Sequence, residues 1–285
     1  MRRREFAEYA TALGLTLMGA SAKAAEPVLH IGLTAVILAD QAAFLARWSM
    51  YLSQRMGVQV VFVARESYQA ILDLLFSNQL DAAWICGYPY VRHQAQLRLL
   101  AVPLYQGEPL YQSYLIRTRG AAIKLNGWSD LKHRVLAYSD PLSNSGWLVA
   151  QAQLRAAGLR ANDLRRTFFT HGHSNVAEAV ATGLAHAGCI DGYVWETMQM
   201  QKMAAVANTQ VIWKSDFYAF PPMVVRQGDQ NPALDRLGRA LLTMHDDAQG
   251  KELLQALNLN GFSTPVPAQF DSIKALLASV TAVRS

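Results

Sequence analysis

Ser139-Asp140-Pro141-Leu142-Ser143-Asn144-Ser145-Gly146-Trp147 holds the residue types and spacing that point most directly to chemistry. An apolar run from Val135 to Tyr138 precedes it and reads as a strand. Trp147, Ala150, Gln151 and Leu154 follow at helical spacing. Two serines and an asparagine at a helix start have two uses. Their oxygens can cap the helix by accepting from its first free N–H groups. Those same N–H groups, the positive end of the helix dipole and the hydroxyls also form an anion site.

Such residues work only if alternating elements hold them. Val28 to Thr34 reads as a buried strand. Asp40 is positioned to cap a helix with Phe44, Leu45, Trp48 and Leu52 on one face, stopped by Gly57. Val58 to Val63 is a second strand. Ser67 caps the next helix, and Leu80 to Cys86 is a third strand. Leu97 to Leu104 and Tyr111 to Thr118 follow as strands. The pattern then restarts with Arg134 to Tyr138, the helix from Ser145 to about Ala157, Thr167 to Thr170, a helix from Ser174, and strands at Ala187 to Tyr193 and Val211 to Trp213. After Met223-Val224-Val225 come three helical runs, the first opened by Asn231-Pro232. Two βα series without a linker predict an α/β chain of two lobes, each a mostly parallel sheet flanked by helices. The expected division is 25–113 for the first lobe, 114–215 for the second, and 216–285 returning to the first.

Ligands of open α/β sheets bind beyond the carboxyl ends of the strands. That rule selects Tyr68, Cys86, Tyr88, Tyr90, Ser143, Asn144, Ser145, His173, Asp191 and Tyr193, all expected to face a cleft between the lobes. Hydroxyls, helix N–H groups and a histidine are donors suited to a small oxyanion. Asp191 and Glu196 are acceptors, able to take a ligand proton or to orient His173. Each residue also has a plain structural role: the tyrosines pack, His173 caps its helix and Cys86 fills space. His171 and His173 form an H-x-H pair without further ligands at metal-site spacing, so neither a metal nor another cofactor is expected.

The N-terminus has the layout of a secretory signal peptide over 1–24: Arg2-Arg3-Arg4, an apolar stretch from Ala10 to Ala20, then Ala22-Lys23-Ala24. Arg3-Arg4-Glu5-Phe6 is close to the twin-arginine export pattern. A periplasmic location is therefore expected. The formal net charge is +5, and three of those charges remain once such a leader is removed. No Lys/Arg run accompanies it, so nucleic acid is not an expected partner. Cys86 and Cys189 are the two cysteines, and both one disulfide and two buried free thiols fit them.

The ordered set of Ser139-Asp140-Pro141, Ser143-Asn144-Ser145-Gly146-Trp147, Gly172-His173, Gly183 and Asp191-Gly192-Tyr193-Val194-Trp195-Glu196 resembles the periplasmic phosphate/phosphite/phosphonate-binding proteins of ABC transporters. The resemblance covers nearly the whole chain after the leader. It implies a two-lobed periplasmic-binding-protein fold without catalytic activity, acting as a monomer beside a membrane permease. It places the oxyanion on Ser143, Asn144 and Ser145, with His173, Tyr68 and one of Tyr88 or Tyr90 closing over it. Members that take aminoalkyl phosphonates carry an added carboxylate near the return crossover, where this chain has Phe220-Pro221-Pro222. That departure favours an inorganic oxyanion or a simple phosphonate. An alternative reading is a periplasmic oxyanion sensor partnering a histidine kinase, because relatives include sensors of arsenic oxyanions and the Cys86 thiol is a soft ligand. A hydrolase is not supported: Ser145 lies outside any G-x-S-x-G elbow.

Overall fold

Short β-branched and apolar runs separated by capped helices dictate the path of the chain. The computed structural model describes residues 28–34, 42–120 and 124–282. The leader and the Asp40 cap lie outside these residues. The first series runs β1 (Val28–Leu33), α1 (Ala42–Met56), β2 (Gln59–Ala64), α2 (Tyr68–Phe76), β3 (Ala82–Trp84), α3 (Gly87–Arg92), β4 (Leu97–Leu104) and β5 (Leu110–Tyr111). The second runs β6 (Ser113–Thr118), β7 (Val135–Tyr138), α4 (Val149–Ala156), β8 (Arg166–Phe169), α5 (His173–Ala181), β9 (Ala187–Asp191), α6 (Gly192–Met200), α7 (Ala204–Ala207) and β10 (Thr209–Lys214). The return comprises β11 (Tyr218–Ala219), β12 (Met223–Arg226), α8 (Pro232–Leu242), α9 (Ala248–Ala256), β13 (Gly261–Ser263) and α10 (Asp271–Thr281).

Two mixed sheets result, ordered β13-β4-β12-β3-β1-β2 and β10-β6-β9-β7-β8. In each, four strands point the same way, while the strands that follow a crossing run against them: β6 in the second sheet, β12 and β13 in the first. The two crossings pair with each other, Tyr111 opposite Tyr218 and Leu110 opposite Ala219. A ladder of two short strands is a narrow joint between two broad sheets. One apolar cluster joins residues of both sheets, and a second, around Leu136, Leu154 and Trp128, belongs to the second sheet alone.

Cap chemistry sets the helix boundaries. Ser67 Oγ accepts from Ala70 N–H at the start of α2, and Asn231 Oδ1 accepts from Ala233 N–H beside Pro232. Gly57 and Gly158 take positive φ where α1 and α4 end. The expected strand over Ala187 to Tyr193 stops at Asp191. That carboxylate accepts from Tyr193 and Val194 N–H and starts α6 instead. Gly87 to Tyr90, expected as the exit of a strand, is helical as α3. Among the described residues no helix is long and apolar enough to cross a membrane.

Candidate functional site

The stretch after β7 does not enter α4 directly. Asn144–Leu148 forms one π-helical turn, with Leu148 N–H reaching Ser143 O and Val149 N–H reaching Asn144 O. Ser143 caps it, its Oγ accepting from Gly146 N–H at 2.9 Å. Such wide turns frequently mark functional sites. Gly146 is required here because an added Cβ would lie 1.8 Å from Ser139 Oγ. The two serines and the glycine are therefore packed as one unit.

The turn lies where both sheets present their strand ends. Tyr68, Cys86 and Tyr111 come from the first sheet and the crossing; Ser139, Asp140, Ser143, Asn144, Ser145, His173 and Asp191 come from the second. None is more than 2% exposed. Tyr68 Oη lies 3.3 Å from His173 Nε2. His173 Nδ1 accepts from Asp191 N–H at 3.0 Å, so the ring proton sits on Nε2. Burial lowers the His173 pKa to about 3, which keeps the ring neutral. Asn144 Nδ2 donates to Tyr111 Oη at 3.0 Å. Burial holds Tyr68 and Tyr111 well above the usual phenol range. Each phenol accepts one hydrogen bond and keeps its own proton to give.

Cys86 Sγ accepts from Asn144 N–H at 3.2 Å, and burial pushes its pKa up to about 11. It is a neutral thiol. Cys189, also free and buried, belongs to the core of the second sheet. No disulfide joins them, and Cys86 has no second thiol to help hold trivalent arsenic, so the sensor reading finds no support here. Among the described residues no cluster of His, Cys, Asp and Glu could hold a metal ion.

Asp191 is pushed up to about 7, chiefly by burial, against the opposing pull of the Val194 and Tyr193 N–H groups. Its backbone, not its carboxylate, orients His173. The Ser145 hydroxyl faces both Asp191 and Tyr111 but completes no hydrogen bond with either. Ser139 Oγ and Asn144 Oδ1 are likewise buried without partners. Both ring nitrogens of His173 are engaged, so neither is free to deprotonate a serine.

Three expected residues lie apart from this cluster. Tyr88 stacks on Trp147 across the lobes at 6.1 Å. Tyr90 packs edge-on against Phe270. Tyr193 donates its hydroxyl to Leu257 O and packs on Tyr105 and Phe220. Glu196 sits at the crossings, bonded by the Tyr105 and Tyr114 hydroxyls and 3.7 Å from Lys214 Nζ. Sequence reasoning missed Tyr111, since only the crossing geometry turns it toward Asn144. It also left the Asp140 side chain without a role.

The family described as the periplasmic phosphonate substrate-binding protein of ABC transporters matches residues 35–270. The chain belongs to this family. The phosphate-import protein PhnD of Mycolicibacterium smegmatis is 28% identical over 181 residues, which cover 59% of this chain and 56% of that relative. The chain thus matches little more than half of that relative's length. A binding protein component of an ABC phosphonate transporter from Pseudomonas aeruginosa superposes with a TM-score of 0.82 at 21% identity, over 90% of this chain and 87% of that one. PhnD1 of Prochlorococcus marinus, solved in complex with methylphosphonate, gives 0.80 at 19% identity, over 90% and 99%. These likenesses show the two-lobed phosphonate-binding-protein fold.

Proposed function

We propose that this chain is a periplasmic solute-binding protein that captures phosphate, phosphite or a simple phosphonate by lobe closure and delivers it to the permease of an ABC transporter. One observation carries the reading. Side chains of both sheets meet at the π turn in full burial, and the oxygens of Ser139, Asn144 and Ser145 there have no partner. An unpaired buried polar group costs about 1–3 kcal/mol; a bound oxyanion relieves that cost for the two hydroxyls, and a proton the ligand retains relieves it for the Asn144 carbonyl oxygen. The hydroxyls of Tyr68, Tyr111 and Ser145 are neutral donors, and the Nε2–H of His173 holds the Tyr68 oxygen so that its proton points away. The ligand's charge is met by these hydroxyls and by the helix start rather than by a cationic side chain. Asp191 is an acceptor for a proton the ligand retains, which suits a partly protonated oxyanion. Phe220, packed edge-on against Tyr111 at 5.8 Å, supplies no carboxylate to meet a ligand ammonium. The names of the relatives, phosphate import and phosphonate transport, agree with this chemistry. Export by the leader, division of the lobes near residues 113 and 215, and action as a monomer without cofactor belong to the same proposal.

A thermal-shift series with phosphate, phosphite, methylphosphonate, 2-aminoethylphosphonate, arsenate, arsenite and sulfate tests it. A ligand at a hundred times its Kd adds about 2.7 kcal/mol to stability. A raised Tm with a phosphorus oxyanion, lost in Ser145→Ala, is the expected result. No shift with any of these anions overturns the proposal.

A further inference from the structure

Asp140 is a second buried anion at a lobe boundary, and the oxyanion site does not use it. It is 2% exposed and follows β7 in the second sheet. Its Oδ1 accepts from Leu142 N–H at 2.8 Å within its own loop. Its Oδ2 crosses to the first lobe and accepts from Tyr68 N–H at 3.1 Å. Tyr68 is the first residue of α2, so this carboxylate sits on the positive end of a nine-residue helix. None of the ion pairs among the described residues involves Asp140. Its partners are two backbone N–H groups; burial raises its pKa, and those N–H groups and, least, the nearby His171 work against that rise. The same Tyr68 reaches back with its hydroxyl to His173 in the second lobe. Tyr68 is thereby tied to the second lobe at both ends, by its backbone and by its phenol.

We propose that Asp140 is a built-in anion that clasps the lobes: it holds the N-terminus of α2 against the second lobe, sets Tyr68 over the ligand, and governs how fast the ligand leaves. The proposal rests on the ligand-capture reading for its kinetic consequence only. A contact between the lobes that must break before the ligand leaves acts on dissociation more than on encounter. Asp140 is thus a positioning residue, separated from the ligand by Tyr68.

Asp140→Asn tests this in the full chain. The amide oxygen keeps the turn to Leu142, while its NH2 group faces the Tyr68 N–H and cannot accept from it. Asp140→Ser, too short to cross to the first lobe, is the second variant. Stopped-flow fluorescence with methylphosphonate and with inorganic phosphate reads association and dissociation separately. The expected result is dissociation faster by about tenfold with association within about twofold, in both variants. Wild-type dissociation rates in both variants overturn the clasp. If neither anion binds the wild type, the capture reading fails and small-angle scattering decides the clasp alone. A smaller radius of gyration for the wild type than for Asp140→Asn supports it; equal radii overturn it.

Discussion

At the scale of single residues, two buried titratable side chains, joined only through the Asp191 backbone N–H, pull in opposite directions. Asp191 has a folded pKa of about 7, raised by burial above its unfolded value, so its contribution is full below about pH 4 and is lost as the pH rises through 7. His173 has a folded pKa of about 3, lowered by burial, so its contribution is full above about pH 6.5 and is lost as the pH falls. Between pH 4 and 6.5 the two slopes oppose each other. Each amounts to roughly 1.4 kcal/mol per pH unit where a whole proton is exchanged. Asp191→Asn keeps the cap of α6, because asparagine caps as well as aspartate. Its stability, relative to the wild type, should therefore climb with pH over this window. His173→Gln should fall relative to the wild type over the same window. Urea titrations of the ligand-free protein at half-unit pH steps give both slopes; parallel curves for wild type and variants would remove the buried-pair account.

At the scale of elements, the π turn is the part that needs its own sequence. Gly146 brings the Ser139 hydroxyl against the backbone of the turn, and any side chain there displaces that hydroxyl or unwinds the turn. Gly146→Ala should cost at least about 2 kcal/mol in stability, the scale of an overpacked core position, and abolish oxyanion binding. Gly158→Ala, at the positive-φ end of α4, should cost a smaller backbone penalty of about 1 kcal/mol and leave binding intact. Denaturation midpoints and binding isotherms of the pair separate loss of the site from loss of the fold. The turn was legible only as a helix start. Its serine caps follow from local chemistry, but the i to i+5 bonding depends on Ser139 and Ser113 behind it, and Ser113 Oγ donates to Ser145 O at 2.6 Å from a strand far away in sequence.

At the scale of the molecule, closure is held at several separate places. Tyr193 of α6 donates to Leu257 O after α9, Tyr105 reaches Glu196, and Arg155 of α4 donates to Ser279 O and Val280 O at the end of α10. These contacts join the lobes without touching the oxyanion cluster. Tyr193→Phe should therefore raise the ligand Kd by less than about fivefold, the loss of one neutral hydrogen bond between lobes. Tyr68→Phe removes a donor from the cluster itself and should weaken binding by more than tenfold. Calorimetric titration of both variants with the anion that stabilises the wild type makes the comparison. An equal loss in the two would place Tyr193 among the ligand contacts after all.

The alternation of strands and helices and the caps that bound them were determined by the sequence alone, because each depends on neighbours a few residues apart. So was the family resemblance, carried by an ordered set of short motifs. Which tyrosines reach the site was decided only by the tertiary structure. Tyr68 and Tyr111 enter it while Tyr90 and Tyr193 turn to Phe270 and Leu257, because a phenol's partner is set by the docking of distant elements. The role of Asp140 was decided there too. A carboxylate beside a proline reads as a turn residue until a helix from the other lobe brings its N-terminus within 3.1 Å.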